Sequence, residues 1–108
     1  MDTQANDEDL AELAAAGNAG AFRCLLERHY DRVYRLAFRL TGLREDAEDL
    51  AQDICASLPK RLQSFRGQAK FTTWLYRVVL NAARDMHRRK ASANRASDGF
   101  EELARLES

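Results

Sequence analysis

Apolar residues recur along this chain at three- and four-residue steps, the spacing of one helix face, and four such runs can be marked off. The first is short, over residues 7–16. Asp7, Glu8 and Asp9 suit the positive end of a helix dipole, and Gly17 is its stop. The second runs from about Ala19 to Leu40. Phe22, Leu25, Leu26, His29, Val33, Leu36, Ala37 and Leu40 form its stripe, and Gly42 ends it. The third starts near Arg44, with Ala47, Leu50, Ala51, Ile54 and Leu58 as its apolar face. Pro59 has no N–H for the Cys55 carbonyl, so the pattern predicts a kink or stop near Ser57–Leu58, then a bent turn or loop over Lys60–Phe65. The fourth covers about Phe71–Lys90, roughly 30 Å at the usual rise. Beyond Lys90 the composition changes to ASANRASDG, which reads as linker, with a frayed turn at Phe100–Leu106. No sustained β-branched alternation marks a strand. The expected fold is all-α, a compact bundle of about four helices, with residues 1–90 as the domain and 91–108 as linker.

Composition fits that picture. The 108 residues are 45% apolar and 31% charged, which suits one folded domain with one core. The formal net charge of zero hides a division. Residues 1–57 carry twelve acids and six arginines, a balance of −6, and residues 58–96 carry ten Lys/Arg against Asp85, a balance of +9. Residues 97–108 return to −3, with four acids and Arg105. A chain divided this way presents two electrostatic faces and so suits two different partners. Cys24 and Cys55 lack a CxxC or His pattern and fall within apolar helical runs, so buried free thiols in a reducing cytoplasm are expected. The acidic MDTQANDEDL lacks the features of a signal peptide, and no apolar run approaches the ~20 residues of a membrane span.

The candidate chemistry lies on two helix faces. On the fourth helix, Phe71, Trp74, Leu75, Val78, Val79, Ala82 and Met86 share the core side, while Arg77, Asn81, Arg84 and Arg88 fall within about 60° on another. Arginines at one-turn intervals can follow a phosphate backbone, and an Asn among them has the paired donor and acceptor that read a base edge. Asp85 orients the Asn81 amide or accepts from an exocyclic amine, or it forms a helix ion pair with the neighbours of Arg84 or with Arg88. Tyr76 and Leu80 lie off the core stripe: they pack on the first helix, or Tyr76 offers a stacking ring. The entry loop Arg66-Gly67-Gln68-Ala69-Lys70 could hold one extruded base. On the third helix, Glu45, Asp49, Gln52 and Asp53 fall within about 100° opposite the apolar stripe. They form either a solvated face or a dock for a basic partner helix. His29 and His87 have no companions suggesting a triad. There is no phosphate-binding glycine loop and no metal-ligand spacing, so neither enzyme nor cofactor is expected.

DAEDLAQDI (46–54) followed by SFRGQAKFTTWLYRVVLNAARDMHRR (64–89) resembles region two of bacterial sigma factors of the extracytoplasmic-function group (group IV). The match covers about Phe22–Lys90, and several spaced motifs fall in the family's order. The resemblance implies that Asp49, Gln52 and Asp53 dock on the β′ clamp helices of core RNA polymerase. It implies that Arg66, Gly67, Gln68, Lys70, Tyr76, Arg77, Asn81 and Asp85 serve the non-template strand of the promoter minus-ten element, with Arg84, Arg88 and Arg89 on phosphates. It further implies cytoplasmic action and an anti-sigma partner. The alternative function is a module sequestered by that partner, with little DNA binding of its own. Pro59 departs from the family, whose members continue this helix with a large apolar or aromatic residue. The family also carries a second helical domain with a helix-turn-helix. The chain is therefore read as one domain of such a factor, or as a natural one-domain relative.

Overall fold

The computed structural model describes residues 5–67 and 69–107, the last fourteen of these by backbone only. Four helices follow one another: α1 (Asp7–Ala15), α2 (Ala19–Thr41), α3 (Arg44–Leu62) and α4 (Phe71–Glu107). No strand occurs among the described residues. Short polar side chains and glycines set the joints. Asn6 Oδ1 accepts from the Asp9 amide at 2.7 Å and opens α1. Gly17, at φ +103°, closes it, and Asn18 Oδ1 accepts from the Ala21 amide at 3.0 Å to start α2 one residue later. Gly42, at φ +74°, ends α2, its amide donating to the Phe38 carbonyl at 2.8 Å. Leu43 gives α3 no side-chain cap, but Glu45 and Asp46 stand in its first turn, where the helix dipole favours them.

α2 packs against each of the other three helices. Leu25, Leu50, Ile54, Leu62, Phe71 and Val79 are the largest fully buried side chains. Each comes from an apolar position with helical spacing, and burying one is worth ~1.5–3 kcal/mol. A ring cluster closes the end near the α3–α4 loop. Phe71 lies 5.2 Å from His29, 6.0 Å from Phe65 and 5.7 Å from Trp74, centroid to centroid. Trp74 is half-buried and belongs to this cluster rather than to an open face.

The structure departs from the pattern at four places. Of the kink or stop expected near Ser57–Leu58, the stop does not occur: α3 runs through Pro59 to Leu62. Buried Leu58 and Leu62 on either side anchor the last turn and offset the bond that Pro59 cannot make. α4 does not end at Lys90; its backbone stays helical to Glu107, through the segment expected to be linker and the expected frayed turn. That segment holds no proline, and Gly99 alone costs only about 1 kcal/mol in a helix, so nothing forces a stop. Leu40, placed on the buried stripe by its spacing, is 39% exposed because the bundle does not cover the end of α2. Of the two cysteines, Cys24 is buried but Cys55 only half so, and burial raises the Cys55 thiol pKa.

α1 is tied down by charge as well as packing. The Arg28 guanidinium lies 3.2 Å from Asp7 Oδ1, and His29 Nε2 lies 3.0 Å from Oδ2. The sequence reading left His29 without a carboxylate companion, and the fold supplies one from the preceding helix. Burial pushes the Asp7 carboxyl up, but His29 and Arg28 together outweigh it and hold the pKa below its ordinary 3.8. The folded-state pKa is therefore the lower one. Asp7 contributes its full stability above the ordinary carboxylate range and loses it as pH falls through the depressed value. Thermal melts of wild type and Asp7→Asn should differ at neutral pH and converge below about pH 4. A gap that persists unchanged at the acid end would contradict the tie.

Candidate nucleic-acid and protein interface

α4 carries the arginine-rich face. Among its described side chains the last buried one is Ala83; beyond it Met86 still packs against the core and Lys90 pairs with Asp46 of α3, while Arg84, Asp85 and residues 87–90 are exposed. Arg77, Asn81, Arg84, Asp85, Arg88 and Arg89 are all exposed. From Arg77 to Arg88 the face runs about 16 Å along the helix. Asp85 Oδ1 accepts from Arg88 at 2.5 Å, so the free domain holds the helix ion pair. A phosphate reaching Arg88 would compete with that carboxylate.

The loop before α4 is built by two devices. Gly67 sits at φ +70°, a conformation that costs other residues about 1–2 kcal/mol, and it turns the chain between Arg66 and Lys70. Glu8 Oε2 of α1 accepts from the Phe71 amide at 3.2 Å, which caps α4 from another helix. A cleft opens between loop and α1, lined by Phe65, Arg66 and Gly67 on one side and by Glu8, Asp9 and Glu12 on the other. Arg66 and Lys70 are exposed at the loop. Gln68 lies outside the described residues.

Asp49, Gln52 and Asp53 are exposed on α3. They do not form a face remote from the arginines. Asp49, Gln52 and Asp53 line a shallow cleft with Arg89 and Lys90. Asp53 also lines the adjoining groove, with Asp85, Arg88 and Arg89. Lys90 pairs with Asp46 across the two helices. The acidic and basic faces thus share an edge, with Arg88 and Arg89 on it.

Tyr76 is 50% exposed and packs towards α2, not α1. It lines a groove with Arg32, Arg35 and Arg39. Sequence reasoning passed over these three because they lie in the segment whose net charge is acidic. Their i, i+3, i+7 spacing, which places them on one face of α2, was the available signal. Among the described residues, no three His, Cys, Asp or Glu side chains are placed to hold a metal ion, and no helix is long and apolar enough to cross a membrane.

This is the geometry of a small helical module that offers charged helix faces to macromolecules. The family model described as Sigma-70 region 2 matches residues 25–93. ECF RNA polymerase sigma factor SigM of Mycobacterium tuberculosis (strain H37Rv) is 38% identical over 84 residues, which is 78% of this chain and 43% of the relative. ECF RNA polymerase sigma factor SigW of Bacillus subtilis is 35% identical over 68% of this chain and 40% of its own length. A solved structure of an engineered region 2 of sigmaE in complex with GTAAAA superposes with a TM-score of 0.74 and 31% identity, over 84% of this chain and 95% of that one. The chain belongs to the sigma-70 region 2 family, within its ECF group, and spans less than half the length of these curated relatives.

Proposed function

We propose that this chain is the polymerase-docking and minus-ten-reading domain of a transcription initiation factor acting in the cytoplasm. The observation that carries the reading is the exposed row Arg77, Asn81, Arg84 and Arg88 on one face of α4. It presents phosphate-binding guanidinia at one-turn steps around a side chain able to read a base edge. The relative bound to GTAAAA supports single-stranded DNA as the ligand. Arg66, Gly67, Gln68 and Lys70 hold an extruded base at the loop. Tyr76 offers its half-exposed ring, and Arg89 takes a phosphate at the far edge. Asp49, Gln52 and Asp53 dock on the β′ clamp helices of core RNA polymerase, where opposite charge sets orientation and encounter rate. The domain performs no catalysis. It opens the duplex by capturing bases, each capture offsetting an unstacking cost of a few kcal/mol.

Fluorescence anisotropy of the whole chain with labelled GTAAAA and a permuted strand, at two salt concentrations, tests this. The expected result is preference for one ordered sequence at both salts, over a non-specific component that weakens with salt. Equal affinity for both strands, falling together as salt rises, would contradict base reading. The preferred sequence of this chain can differ from GTAAAA, so a pool of six-nucleotide strands accompanies the pair.

A further inference from the structure

The first turn of α1 reaches two other helices at once. Arg28 Nη1 donates to the Ala5 carbonyl at 2.6 Å, and Asp7 lies against Arg28 and the buried His29 of α2. Glu8 Oε2 accepts from the Phe71 amide of α4, 63 positions further along the chain. Adjacent helical residues point about 100° apart, so one turn of α1 is held on α2 by Asp7 and holds α4 by Glu8. The Glu8 contact falls where α4 needs it. Phe71 opens the helix, the residue is 1% exposed, and its amide is one of the orphan donors of a helix start. Lys70, one residue before, carries no side-chain acceptor that could cap it. The loop is thus anchored at both ends. Phe65 packs its ring 6.0 Å from Phe71 and 5.3 Å from Trp74, and Glu8 fixes the exit. Gly67 turns the chain between the anchors. The cleft beside the loop takes its shape from the same contacts, with Phe65, Arg66 and Gly67 on one wall and Glu8, Asp9 and Glu12 on the other.

We infer that Glu8 is a positioning residue for strand recognition, an inference that rests on the reading that this loop holds an extruded base. A wall of three carboxylates repels phosphates, so α1 is no track for the strand. Glu8 acts instead through the Phe71 amide. Its bond fixes the start of α4, and with it the loop wall against which a captured base must fit. Without the bond, the exit of the loop and the first turn of α4 gain freedom, and the cost of ordering them falls on base capture. Attraction of phosphates to Arg77, Arg84 and Arg88 does not pass through the loop and stays as it was. A cap that served stability alone would leave the balance between preferred and permuted strands untouched.

The test uses the whole chain, the preferred six-nucleotide strand from the pool above and a permuted strand, with fluorescence anisotropy on wild type, Glu8→Ala and Glu8→Gln. Both variants remove the same charge, and Gln alone keeps an oxygen that accepts from the Phe71 amide. Glu8→Ala is expected to lower the preferred-to-permuted affinity ratio about fivefold, the net worth of one hydrogen bond. Glu8→Gln is expected to keep the ratio within about twofold of wild type, and the two variants share one salt slope. Circular dichroism confirms that they are folded. Asp7→Asn loosens the same turn of α1 with Glu8 in place, is expected to lower the ratio in the same direction, and decides the matter if Glu8→Ala does not fold. A wild-type ratio in Glu8→Ala overturns the inference and leaves base reading standing. Equal loss in Glu8→Ala and Glu8→Gln overturns it as well, since charge rather than the bond would then set the ratio. A wild-type chain that prefers no sequence overturns both the inference and the reading beneath it.

Discussion

Phe71→Ala is expected to cost about 3–5 kcal/mol of folding stability, the range for a large aromatic removed from a packed core. Phe71 is 1% exposed and is the largest fully buried side chain among the described residues. Its ring is the shared member of the cluster formed with His29, Phe65 and Trp74, so its loss leaves three neighbours facing a void. A domain of this size holds ~5–15 kcal/mol in total, so the variant should sit near the edge of folding at room temperature. Urea unfolding followed by far-ultraviolet circular dichroism measures the loss directly. Glu8→Ala separates packing from capping. It removes the side-chain acceptor of the Phe71 amide and leaves the ring, and it should cost only about 1 kcal/mol. Equal losses in the two variants would mean that the cap from α1, not the ring, holds the start of α4.

Asn81→Ala should weaken binding to the preferred single strand by about 1–3 kcal/mol, a factor of roughly 5 to 150, while hardly changing affinity for permuted strands. The side chain is exposed on α4 between Arg77 and Arg84, so its removal disturbs no core contact. Arg88→Ala is the matched control. It should weaken all strands alike and lower the salt slope by about one unit, since a guanidinium on a phosphate releases counterions without reading sequence. Its pairing with Asp85 means that part of the charge is already neutralised in the free domain, so a smaller slope change is the permitted direction of error. If Asn81→Ala reduces both strands equally, Asn81 is a positioning group and the base is read elsewhere.

The elements were legible because their signals are local. Gly17, Gly42 and the acidic Asp7, Glu8 and Asp9 act within a turn of where they stand, and α1 and α2 begin or end close to them. The stop that Pro59 allowed does not occur, for the opposite reason. A proline is a local breaker, but Leu58 and Leu62 anchor the turn through tertiary burial that no window of sequence contains. The exposure of Arg77, Asn81, Arg84 and Arg88 followed from helical phase, given that Phe71, Leu75, Val78 and Val79 face inward. What phase cannot give is which helix lies next to which face. The charge division along the chain suggested two separated surfaces. Packing instead sets Asp53 of α3 beside Arg88 and Arg89, and carries Arg32, Arg35 and Arg39 of α2 to the side of Tyr76. The pairing of Asp7 with Arg28 and His29 was hidden in the same way, since it depends on how α1 folds back on α2.

The most direct test is an NMR titration of the isotope-labelled chain with its preferred six-nucleotide strand, followed through backbone amide and arginine side-chain signals. Strand binding at the α4 face predicts the largest shifts at Arg77, Asn81, Arg84 and the Arg66–Lys70 loop, with Asp49 and Gln52 on α3 little changed. Shifts centred on α3, or spread evenly over every basic side chain without regard to strand sequence, would contradict it.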